Sequence, residues 1–308
     1  MDLFNCLGLY VKYLKYEKNL SLNSIKSYRK DISQFLLFLK KRNITGTGSL
    51  DIEVFREFLI FIDDYNYSNK TLVRKYSSLV NFFKFLEMND FIDFQLTQLI
   101  NVPRVRQGLY SFLSVSEMRK LFNSMRPLSD LEIRDRAIIE FLYSTGARVS
   151  EAENLKLNDF DIENNELVVT GKGRKQRFVY LNKAVLYWIR RYMEARNRII
   201  YSNKDKSKDD RHFFLNRFGR KLTSRSIRNI VKKYVKKAKI NKNITPHSIR
   251  HSFATHLLQE GAGIREIQEL LGHENISTTQ IYSHLNVKKL KKDYKKFHPR
   301  AENDADGE

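Results

Sequence analysis

Residues 245–285, TPHSIRHSFATHLLQEGAGIREIQELLGHENISTTQIYSHL, decide how this chain is read. Thr245 is a strong N-cap and Pro246 suits the first helical position, so a helix is predicted to begin there. His247 and Arg250 then stand three residues apart on its first turn and share a face. Free N–H groups and the positive end of the helix dipole attract phosphate at such a terminus. An imidazole and a guanidinium in that place make an anion site with a proton-transfer group. Gly272 reads as the C′ residue ending a second helix that starts near Ile264, which leaves His273 just past the stop. Ser277 caps a shorter helix bearing Tyr282 among Thr279, Gln280, Ser283 and His284. Taken singly, each feature is ordinary: a first-turn histidine is often structural, and a tyrosine in a polar helix is often a half-buried surface residue.

Upstream, Gly146-Ala147-Arg148-Val149-Ser150-Glu151 reads as a helix stop followed at once by a helix start. Gly146 ends the more apolar helix Arg134–Ser144, Ser150 or Arg148 opens the next, and Glu151 is placed to orient Arg148 by a bidentate ion pair. Glu166–Thr170 (ELVVT) and Arg177–Leu181 (RFVYL) are short β-rich runs. The turn between them carries Gly171, Lys172, Gly173, Arg174 and Lys175, so a hairpin with a basic tip is predicted. Helical pattern covers 183–200 and, with many lysines and arginines, 224–238. Residues 201–211 read as a charged loop.

The first hundred residues have a different texture. Ser21 caps a helix with Ile25, Tyr28, Ile32, Phe35, Leu36 and Leu39 on one face and Lys26, Arg29, Lys30 and Lys40 on the other. A loop at 43–49 precedes a second amphipathic segment, Asp51–Ile62. Ser68 or Asn69 caps a third, running through Leu72, Tyr76, Leu79, Phe83 and Leu86, with Lys70, Arg74, Lys75 and Lys84 on its polar side. Basic faces on two helices of one small bundle suit a DNA-gripping surface, although solvated faces look the same. Residues 103–110, with Pro103 and Gly108 and no periodicity, read as a linker. Its Arg104 and Arg106 suit a phosphate backbone. The predicted division is therefore a helical DNA-binding domain at 1–102, the linker at 103–110 and a second domain at 111–308.

Composition agrees with this reading and narrows it. Gly (12) and Pro (4) are scarce in 308 residues, which favours a mainly α chain with a small β-hairpin in the second domain. The net charge of +21 attracts polyanions, and nucleic acid is the usual one. A Lys-rich codon bias produces the same excess, so the placement of the charge has to decide. Cys6 is the single cysteine, which excludes an internal disulfide and a multi-thiolate metal site. His247 and His251 are i and i+4, with His256 beyond. No Glu separates the first pair and no cysteine is near, so no metal or other cofactor is expected. The start lacks the basic n-region and apolar run of a signal peptide, and no stretch reaches membrane-span length, so a soluble, cytoplasmic protein is expected.

The order and spacing of these elements resemble the tyrosine recombinases and phage integrases, and within them the Xer type. The matching stretches are RDRAIIEFLYSTGARVSE, GKGRKQR, the quoted 245–285 segment, the terminal HPRA and, in the first domain, SLNSIKSYRKDISQF. Together they span nearly the whole chain. The resemblance implies a two-domain DNA clamp. Its catalytic set falls on Arg148, Lys172, His247, Arg250, His273 and the nucleophile Tyr282, with Glu151 behind Arg148. Ala152-Glu153 and Gly263 depart from the usual pattern only where helix packing is concerned. The resemblance further implies a tetramer on double-stranded DNA, homomeric or heteromeric, with the basic tail Val287–Ala301 docked in a neighbouring protomer. A DNA translocase of the FtsK type is an implied partner. No arm-binding domain precedes residue 1, so chromosome dimer resolution is expected over phage or mobile-element integration. A type IB topoisomerase and a non-catalytic DNA-binding protein are the more distant alternatives.

Overall fold

Side-chain hydroxyls and carboxylates start the helices of the first hundred residues. The computed structural model describes residues 1–65, 67–92, 111–161, 164–171, 176–202, 211–272 and 293–300. The chain divides into two units, Met1–Gly108 and Leu109–Glu308. In the first, α1 (Leu3–Tyr16), α2 (Leu22–Lys40), α3 (Ile52–Asp63) and α4 (Asn69–Met88) are capped by Asp2, Ser21, Asp51 and Ser68. Each cap accepts from the backbone N–H three residues on, satisfying a donor the helix cannot pair internally. The foreseen face of α2 is buried, with Phe38 added and Tyr28 half-buried. Aromatic edges fill the core: Phe35 and Phe58 lie 4.9 Å apart, and Phe55 and Phe83 5.5 Å apart.

The polar faces divide into two kinds. Lys26, Arg29, Lys30, Lys40 and Lys84 are exposed. Lys75, expected beside them, is not: it is 5% exposed. Its ammonium reaches Gln34 and the buried Asp31 (3.4 Å) and lies over the Tyr67 ring. Asp31 also accepts from Arg74 and from Ser78 Oγ (2.8 Å). One buried carboxylate in α2 thus claims the cations of α4 that helical spacing alone placed outside. A buried aspartate without such partners is too costly to desolvate. Arg74 keeps an exposed side chain and Lys75 does not, so Lys75 is withdrawn from the basic grip.

The second unit is built on one fully enclosed helix. It contains α5 (Val115–Asn123), α6 (Asp130–Thr145), α7 (Val149–Asn154), β1 (Phe160–Asp161), β2 (Glu166–Thr170), β3 (Gln176–Tyr180), α8 (Lys183–Ser202), α9 (Ser224–Lys237), α10 (Pro246–Gln259) and α11 (Ile264–Leu271). Every residue of α6 from Ile133 to Thr145 is buried, with α8 and α10 packed on it. Its charged residues are therefore paired: Arg134 binds Asp135 at 2.6 Å. The sheet is antiparallel in the order β1-β2-β3. The hairpin was foreseen, while the two-residue β1 is too short to carry a periodicity. Register sets Val169 opposite Arg177 and Leu167 opposite Val179, and all four face inward. A charged residue thus occupies a core position of the sheet.

The described part of the tail expected to dock in a neighbouring protomer has anchors of its own. Residues 293–300 pack on the second unit of their own chain. Tyr294 is 1% exposed, joins Phe253, Leu257 and Leu271, and accepts from Asn182 Nδ2 at 3.1 Å. The His298 ring stacks on Tyr294 with centroids 4.7 Å apart, and Arg300 pairs with buried Glu140 at 2.9 Å. Residues 287–292 and 301, also part of that expected exchange helix, lie outside the described residues. Removing the Tyr294 ring is expected to cost about 3–5 kcal/mol, the range for an aromatic truncated in a core. Urea unfolding of Tyr294→Ala measures it. An unchanged midpoint would show that this segment contributes nothing to the domain's own core.

Candidate active site

Four helix ends meet where the second unit's arginines gather. The last carbonyls of an α-helix lack internal donors and carry the negative end of its dipole, so a guanidinium is a fitting cap. Arg250, on the first turn of α10, donates from Nη1 to Gly146 O at the end of α6 (2.6 Å). Its Nη2 donates to Leu271 O at the end of α11 (2.8 Å). Arg177 on β3 donates from Nη1 to Leu270 O (2.8 Å). Arg148, the N-cap of α7, reaches Gly272 O at 3.4 Å.

Both stops are glycines for a physical reason. Gly146 and Gly272 have φ of 58° and 64°, a left-handed conformation that side chains resist. A Cβ on Gly146 would fall 2.7 Å from the Phe253 ring, and one on Gly272 would fall 2.7 Å from Arg177 Cδ. The chain therefore turns tightly enough for the carbonyls at these two helix ends to face the arginines.

One carboxylate sits among these cations. Glu151 is 3% exposed. Its Oε1 accepts from Arg148 Nη1 at 3.0 Å. Its Oε2 accepts from Arg148 N at 2.8 Å and from Arg177 Nη2 at 3.0 Å. The expected bidentate grip on the Arg148 guanidinium is thus corrected: one oxygen holds the guanidinium, and the other serves the helix cap and Arg177. Burial pushes the Glu151 carboxyl up. Arg177, the bond from the Arg148 backbone and the Arg148 guanidinium outweigh it and hold the group below the usual carboxylate range. Burial, then Arg148 and Arg177, pull Arg250 down to about 9, so it stays cationic at neutral pH.

Three guanidiniums and one carboxylate leave two positive charges in excess. Arg250 is buried, while the Arg148 side chain keeps 36% of its surface. The cluster is thus a rigid cationic floor with one solvent-facing fork, suited to an oxygen-rich dianion. His247 is exposed on the same first turn as Arg250. His256 does not belong with it: that ring is buried, its Nδ1 2.9 Å from Tyr143 Oη. His251 stands edge-on to Phe112. Among the described residues no group of three or more His, Cys, Asp or Glu is placed to hold a metal.

The structure brings Arg148, Glu151 and Arg250 together. Lys172, Arg174, Lys175, His273, Tyr282, Arg104 and Arg106 lie outside the described residues. Two features were missed. Arg177 belongs to the cluster, and strand alternation carried the signal, because Arg177 is in phase with Val179 and Leu181 on the buried side. On α9, Arg225, Arg228, Lys232 and Lys236 form an exposed basic stripe at helical spacing.

Comparison with known proteins covers both units. The model of the Phage integrase family matches residues 111–289, and that of the Phage integrase N-terminal SAM-like domain matches 7–89. Tyrosine recombinase XerC of Oceanobacillus iheyensis is 38% identical over 96% of this chain and 96% of its own length. XerC of Natranaerobius thermophilus is 40% identical over 95% and 98%. Tyrosine recombinase XerD of Staphylococcus epidermidis is 36% identical over 95% and 98%. Among solved structures, the XerH site-specific recombinase bound to palindromic difH substrate, a post-cleavage complex, superposes with a TM-score of 0.69 at 25% identity. The match covers 92% of this chain and 82% of that one. A lambda integrase dimer on a core site shares the fold at a TM-score of 0.64 and 16% identity, covering 94% and 95%. Matched along nearly its whole length by tyrosine recombinases, this chain belongs to the phage integrase family of tyrosine recombinases.

Proposed function

We propose that the chain exchanges DNA strands at a specific site, with Tyr282 as nucleophile. The observation that carries the proposal is the pairing of Arg148 and Arg250 at the carbonyl ends of α6 and α11, braced by Glu151. The Tyr282 oxygen forms a bond to phosphorus while the bond to the 5′-oxygen breaks. A 3′-phosphotyrosyl link and a free 5′-hydroxyl result. His247 takes the tyrosine proton, Lys172 supplies one to the leaving 5′-oxygen, and His273 donates to a phosphate oxygen. The two guanidinium forks match the non-bridging oxygens, on which charge accumulates in the transition state. A 5′-hydroxyl from the partner strand then reverses the step. The phosphotyrosyl bond conserves the energy of the phosphodiester, so joining consumes no nucleotide.

Four strands from two duplexes require four active sites, hence a tetramer on DNA, of one or two kinds of chain. The exposed cations of α2, with Arg74, the linker arginines, Arg174, Lys175 and the α9 stripe, supply the phosphate grip. The XerC and XerD names of the relatives support an Xer role, chromosome dimer resolution; its proposed setting is the cytoplasm, with a DNA translocase of the FtsK type as activator. The test is a supercoiled plasmid carrying two copies of a candidate site captured as covalent complex from the genome. Deletion or inversion between the copies is the expected result. Relaxed topoisomers without recombinants, at any sequence, would indicate a type IB topoisomerase activity instead. Binding without cleavage would indicate a regulator.

A further inference from the structure

Arg177 has no part in the chemistry described above, yet it touches both Glu151 and the end of α11. It is 6% exposed, on the inward face of β3. One arm of its fork holds Glu151 Oε2 at 3.0 Å and the other holds Leu270 O at 2.8 Å. Its stem lies against Gly272 so closely that any side chain there would collide with it. Three elements that bear chemistry therefore meet on one guanidinium. Its own strand leads directly from the hairpin turn of Lys172. Glu151 holds Arg148. Leu270 and Gly272 close the helix that precedes His273.

A buried arginine beside two other arginines is costly, and an apolar residue at this strand position would pack without that cost. Its presence calls for a role beyond filling the core. Lysine does not match it, because one ammonium lacks the planar fork that spans a carboxylate and a carbonyl at fixed separation. We propose that Arg177 is a positioning residue for strand cleavage, locking the Lys172 hairpin strand and the end of α11 to the carboxylate that aims Arg148. The proposal rests on the function proposed above and adds the means by which separate elements are held in one register. It also makes Gly272 the space into which the Arg177 stem fits, as well as a helix stop.

The pH dependence follows from the same contacts. The charged groups facing Glu151 are Arg148 at the start of α7, Arg177 on β3 and Arg250 on α10. The charge of Arg177 helps hold the carboxyl ionised, together with the backbone and side-chain contacts of Arg148. Without it Glu151 takes up a proton at higher pH, and Arg148 loses its brace as pH falls. The acid limb of the cleavage profile therefore moves up in pH.

The test uses the full chain on a nicked suicide duplex, with Arg177→Met, Arg177→Lys, Glu151→Gln and the double variant Arg177→Met with Glu151→Gln. Melting temperature and duplex affinity are measured alongside, and rates are compared at equal occupancy of folded protein. Expected is a fall in covalent-complex rate of about 100-fold for Arg177→Met, the scale of a small misplacement in an active site. Its acid limb shifts upward. Arg177→Lys restores the limb but not the rate, and Glu151→Gln adds little once Arg177 is gone. Wild-type rate and profile in Arg177→Met, full rescue by lysine, or a loss additive with Glu151→Gln would each overturn the proposal. If the unaltered chain forms no covalent complex, the proposed function fails. If it does and the Arg177 variants match it, only the positioning role fails.

Discussion

Tyr282→Phe is expected to abolish the covalent complex while leaving DNA affinity and stability unchanged. The substitution removes one oxygen and keeps the ring, so packing is conserved wherever the ring lies. No other side chain replaces that oxygen in the chemistry. The leaving group departs only if the attacking oxygen takes its place. A nicked suicide duplex, from which the cleaved oligonucleotide diffuses away, accumulates the covalent species. Wild-type chain is expected to shift to an SDS-resistant band and the phenylalanine variant to give none. Both should retard the same duplex equally in a native gel. Residual covalent product in Tyr282→Phe would move the nucleophile to another residue and undo the assignment of the whole set.

The second large effect belongs to Arg250. Arg250→Ala is expected to slow cleavage by roughly 10²–10³-fold, the cost of losing one preorganised donor to a developing oxyanion. Stability is expected to change far less. Gly146 O and Leu271 O lose their donors, at about 1 kcal/mol each. The same change relieves repulsion from Arg148 and Arg177, the neighbours that help pull Arg250 down to about 9. These contributions oppose each other, so the unfolding free energy is expected to stay within about 1–2 kcal/mol of wild type. Single-turnover cleavage and urea unfolding of the same preparation separate the two quantities. A rate loss no larger than the loss of folded protein would mean that Arg250 is a structural cap only. Arg148→Ala makes a useful contrast, since its side chain is 36% exposed and donates to one helix end only.

Much of the site was legible in the residues because its parts are helix ends. Ser21 and Thr245 cap the helices that follow them, and Gly146 and Gly272 stop the helices that precede them. These are local events decided by a few atoms within one turn, and a sequence displays them directly. The hairpin strands were legible for the same reason, through alternation and a glycine-bearing turn.

What escaped was decided by partners distant along the chain. Lys75 looks like a surface cation by its spacing in α4, and Asp31 and Gln34, 44 and 41 positions away, draw it inside. The tail residues Tyr294 and Arg300 meet Asn182 and Glu140, 112 and 160 positions away, which helical spacing in the tail does not reveal. In α1, Leu3, Cys6, Leu7, Tyr10 and Leu14 repeat at helical spacing and are buried. Arg177 is the instructive case. Its inward phase was visible in the strand. The reason for a charge there was not, because Glu151 and Leu270 reach it from two other elements.

The central claim is that the enzyme links itself to DNA through Tyr282. Its most direct test is mass spectrometry of the complex trapped on a suicide duplex, after nuclease trimming and proteolysis. The expected result is a peptide spanning residues 275–287 that carries a nucleotide on Tyr282 through its 3′-phosphate. A nucleotide on another residue, or attachment through a 5′-phosphate, would contradict it.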